Sequence, residues 1–191
     1  MIWPMASPIG TLDDFRESLD TSVESQPFYA VILFAAGDGA DEQLRTFVRS
    51  HRSDSAAVAG EHCLAFTLDD GAEHALTAEA VGAIAEYLGA DRAAVPGIVF
   101  FTEPAMQPEG LSLQLGPLLG DSGENAASVF GALGAMVSAA ASAAPYDRLL
   151  DLRQRLTDTW SPQLVGGGLV EGGSISMGLT HILGQLRETT P

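Results

Sequence analysis

The sequence predicts an α/β fold: a mixed sheet with helices on both faces, followed by a C-terminal helical extension. Three observations carry this expectation. Two continuous apolar runs, Phe28-Tyr29-Ala30-Val31-Ile32-Leu33-Phe34-Ala35-Ala36 and Gly97-Ile98-Val99-Phe100-Phe101, have the composition of central strands buried on both sides. A short loop joins the second run to Leu111-Ser112-Leu113-Gln114-Leu115, which alternates apolar and polar residues as a hairpin partner does. Between the runs, apolar residues recur at helical spacing, so helical crossovers set parallel strands beside that antiparallel hairpin.

The elements follow in order. A first helix opens at Thr11-Leu12-Asp13-Asp14-Phe15, where Thr11 is placed to cap the amide of Asp14 and the acids suit the helix dipole. Leu12, Phe15 and Leu19 form its stripe, and Ser25-Gln26-Pro27 ends it before the strand 28–36. Gly37-Asp38-Gly39-Ala40-Asp41-Glu42 turns the chain into a second helix with Leu44, Phe47, Val48 and His51 on one face. After a polar loop over 52–61 comes the strand Cys63-Leu64-Ala65-Phe66-Thr67-Leu68, closed by the turn Asp69-Asp70-Gly71. A third helix over 77–88 turns Val81, Ile84, Ala85 and Leu88 inward. Pro96 stands immediately before the strand 97–102. Gly116-Pro117 ends the hairpin, and an Ala-rich helix over 124–144 carries Val129, Leu133, Met136 and Val137 as its core stripe.

These elements complete one domain over 1–144, and residues 145–191 form a helical, glycine-containing extension. Its first helix, Asp147 to Trp160, has Leu149, Leu152, Leu156 and Trp160 on one side, and Ser161-Pro162 stops it. Gly166 to Gly173 reads as a flexible connection, and Ile175, Leu179, Ile182 and Leu186 mark a last helix over 175–187.

With 46% hydrophobic and 18% charged residues in 191, the chain can bury a sizeable core. Its single cysteine excludes a disulfide framework and a multi-cysteine zinc site, and fits a reducing compartment. The start has no basic segment followed by an apolar one, and no window approaches the roughly 20 apolar residues of a membrane span, so a cytoplasmic location is expected. The net charge of −16 is uneven: residues 1–144 hold five arginines against twenty acids, and residues 145–191 hold four against five. An acidic body repels phosphate backbones and anionic lipid, which argues against nucleic-acid and membrane partners and favours the extension as a contact surface. All nine basic residues are arginine, which together with abundant Ala and Gly suits a GC-rich bacterial genome.

Over about residues 11–143, the order and spacing of these features resemble the thioredoxin-like superfamily. Phe34-Ala35-Ala36 is similar to the family's aromatic-Trp-Ala segment before the active-site loop, and Pro96 matches its cis-proline. Leu115-Gly116-Pro117-Leu118 is similar to the turn before the family's last helix. The resemblance implies a Cys-x-x-Cys at the N-terminus of the second helix, where the dipole activates the first thiol. Here Gly39 and Glu42 fall near those two positions, and Leu33 stands where many members keep a buried Asp. The chain is thus read as a divergent member that keeps the scaffold and lacks the Cys-x-x-Cys.

Other chemistry is sparse. Cys63 opens a strand among apolar neighbours and reads as a small buried hydrophobe; His62 beside it points to the opposite face. Asp38, Asp41 and Glu42 are explained by helix capping and the dipole rather than by a cation, and His51, His62, His74 and His181 are scattered, so no metal site is expected. No phosphate loop, dinucleotide fingerprint or nucleophile elbow is present, and no cofactor is implied. The expected function is a non-catalytic module that binds a protein or assembles with itself. Its binding residues would come from Pro96, Gly39 and Glu42, or from Leu152, Leu156 and Trp160 of the extension if that helix docks outward instead of folding back. The alternative is a single-cysteine thiol redox or peroxide-responsive enzyme using Cys63.

Overall fold

The computed structural model describes residues 27–35, 37, 39–50, 62–67, 78–102, 109–120 and 125–169. The helices expected near Thr11 and over 175–187, the turn at 69–71, and Asp38, His51, His74 and His181 lie outside these residues.

The expected mixed α/β architecture is present. The strands are β1 (Phe28–Leu33), β2 (Cys63–Thr67), β3 (Gly97–Phe101), β4 (Glu109–Gln114) and β5 (Val165–Leu169). The helices are α1 (Ala40–Ser50), α2 (Ala78–Tyr87), the single turn α3 (Gly116–Leu119), α4 (Ala126–Ala140) and α5 (Arg148–Thr159). The sheet order is β2-β1-β3-β4-β5. β2 runs parallel to β1 across the α1 crossover, and every other neighbouring pair is antiparallel.

Strand alternation sorts the sheet into two faces. Phe28, Ala30, Ile32, Ile98, Phe100, Leu111 and Leu113 share one core with Leu44 and Val48 of α1, Val129, Leu133 and Val137 of α4, and Leu149, Leu152 and Leu156 of α5. Tyr29, Val31, Leu33, Val99 and Phe101 point to the other face. There α2 ends so close to the sheet that a Cβ on Gly110 would strike the Leu88 carbonyl. Helices therefore cover both faces.

β1 stops at Leu33, short of the apolar run's end, although Phe34 and Ala35 stay buried. The Ala35 amide donates to Asp41 Oδ1 at 2.7 Å, which pulls the chain off the sheet and ties it to the first turn of α1. The polar side chain outcompetes the ladder because it lies at the helix start, where a carboxylate also meets the dipole.

Of the two arrangements left open for the extension's first helix, docking outward or folding back, the structure has the second. Leu152 and Leu156 are each 0% exposed, so α5 folds back on α4 and the sheet, and residues 145–169 share one core with the preceding residues. The glycine run is not a loose connection at its start: Val165–Leu169 pairs antiparallel with β4, from Val165 opposite Leu113 to Leu169 opposite Glu109. Gly167 explains the composition. Its φ is 129°, and a Cβ there would collide with the Gly110 carbonyl. Only glycine fits this strand against that neighbour.

Candidate functional site

The residues singled out in the sequence fall into three places. The first is the junction between the start of α1, Pro96 and the start of α3. Gly39 is exposed with φ 71°, and its carbonyl accepts from the Gln43 amide at 3.0 Å to start α1. Asp41 and Glu42 occupy the first turn. Glu42 is held by its own helix: Oε2 lies 3.3 Å from Arg45 Nη1, and Oε1 accepts from Thr46 Oγ1 at 3.5 Å.

Pro96 is buried, and the Val95–Pro96 peptide bond is cis. Its carbonyl accepts from the amides of Leu115 (2.8 Å) and Gly116 (3.3 Å). That carbonyl is thus engaged by the chain leading into α3. A Cβ on Gly116 would sit 3.6 Å from the Pro96 ring and 3.9 Å from Ala40 Cβ. The structure therefore brings Pro96 next to the start of α1, with Gly39 one residue before Ala40 and Glu42 on the exposed side of the first turn. Among the described residues, the junction offers backbone, a proline ring and two engaged carboxylates, Asp41 by the Ala35 amide and Glu42 by Arg45 and Thr46, and no thiol.

The second place is Cys63, which is 5% exposed and packed in the core. Burial pushes its thiol pKa far above the ordinary cysteine value. Register puts it opposite Phe28, at the start of β1, whereas α1 begins beyond the far end of that strand. The strand between them is about 17 Å long at the usual rise per residue. Cys63 is thus remote from the helix end that would stabilise a thiolate.

The third place is α5. Leu152 and Leu156 are internal, and Trp160 is half-buried against the same core. None of the three is presented outward as an anchor, because burying them against α4 and the sheet removes their apolar area from water. Sequence reasoning passed over two large apolar residues that are exposed here, Leu150 of α5 and Tyr146 in the short turn before it. A helical wheel could have found Leu150, which lies well off the Leu149, Leu152, Leu156 stripe.

Among the described residues, no group of three or more His, Cys, Asp or Glu is placed to hold a metal ion, and no helix is long and apolar enough to cross a membrane. Comparison with known proteins finds no family model, no curated protein and no solved structure that matches this chain.

Proposed function

We propose that this chain is a non-catalytic module of thioredoxin-like architecture that works by protein binding or assembly. The observation that carries the reading is the location of Cys63. On a thioredoxin-like scaffold the reactive thiol stands at the N-terminus of the helix after the first central strand, where the dipole lowers its pKa. The corresponding helix here, α1, is entered through Gly39-Ala40-Asp41-Glu42, and the chain's one cysteine lies at the opposite end of β1. The sheet order and strand senses support the scaffold: β1 parallel to β2, antiparallel to β3, with the β3–β4 hairpin continuing outward. A thiol in a dry core is a poor nucleophile, which counts against the single-cysteine enzyme.

Thiol labelling of the native protein tests this. A disulfide reagent at neutral pH is expected to react with Cys63 only as fast as the protein opens, and at once in denaturant. Rapid stoichiometric labelling of the folded chain would return Cys63 to the list of catalytic groups and sink the non-catalytic reading.

A further inference from the structure

We draw no further inference here: the strongest candidate, the outer edge of β5 at the margin of the sheet, ending at the exposed Leu169, is an unpaired strand edge among the described residues, and nothing in the structure shows what covers it.

Discussion

At Cys63 a single register position decides what a reactive group can do. Its place opposite Phe28 puts the sulfur in the core and away from the start of α1. The thiol's pKa is raised by burial, and this has a consequence for stability. An unfolded cysteine titrates near about 8.5. A group whose folded pKa lies above its unfolded one contributes fully below the unfolded value, and that contribution is lost as pH climbs past it. The loss amounts to about 1.4 kcal/mol per pH unit. Between pH 7 and pH 10 the parent chain should therefore lose about 2 kcal/mol more stability than Cys63→Ala, read from urea unfolding. Parallel pH profiles would mean that the folded thiol reaches water. The role of Glu42 was less readable from sequence. Its acidity suits a helix start, but only coordinates show its carboxylate occupied by Arg45 and Thr46.

Among the elements, β5 shows most clearly what sequence does not carry. β1, β3 and β4 are legible because apolar or alternating runs end at breakers, and α5 is legible because three leucines recur at helical spacing. The segment 166–168 offers only glycine, which has no side chain to pattern and ordinarily disfavours strands. Its pairing depends on Gly110 and the β4 edge, more than fifty residues earlier, and no local window contains that information. Substitution separates the two descriptions. Gly167→Ala should cost about 2 kcal/mol or more, from positive φ together with the clash at the Gly110 carbonyl. Gly131→Ala, on an exposed turn of α4 with open space around it, should stabilise by about 0.5–1 kcal/mol. Chemical denaturation of both variants checks the pair; a neutral Gly167→Ala would mean that the segment is a loose linker after all. The candidate site was half legible. The resemblance singled out Gly39 and Pro96 one by one, but the inward turn of Leu152 and Leu156 depended on whether α5 docks on its own chain, which amphipathicity alone does not decide.

For the whole molecule, the shared core argues that residues 1–144 are not a self-sufficient unit. Leu149, Leu152 and Leu156 lie in the same cluster as Phe100, Leu113 and Leu133. Burying each is worth about 1.5–3 kcal/mol. Losing all three is comparable with the entire stability of a typical domain, about 5–15 kcal/mol. A chain ending at Ala144 is therefore expected to show no cooperative thermal transition and to bind a hydrophobic dye, where the full chain melts in one step. A sharp melt of the shortened chain would show that α5 and β5 are dispensable.

The integration of α5 and β5 also bears on synthesis. A ribosome delivers Phe100, Leu113 and Leu133 before the leucines that close over them, and the β4 edge before the strand that pairs with it. At about 5–20 residues per second, the 25 residues from Pro145 to Leu169 take roughly one to five seconds to make. During that interval the nascent chain displays an uncapped apolar face and a bare strand margin, the features that chaperones seize and that neighbouring nascent chains stick to.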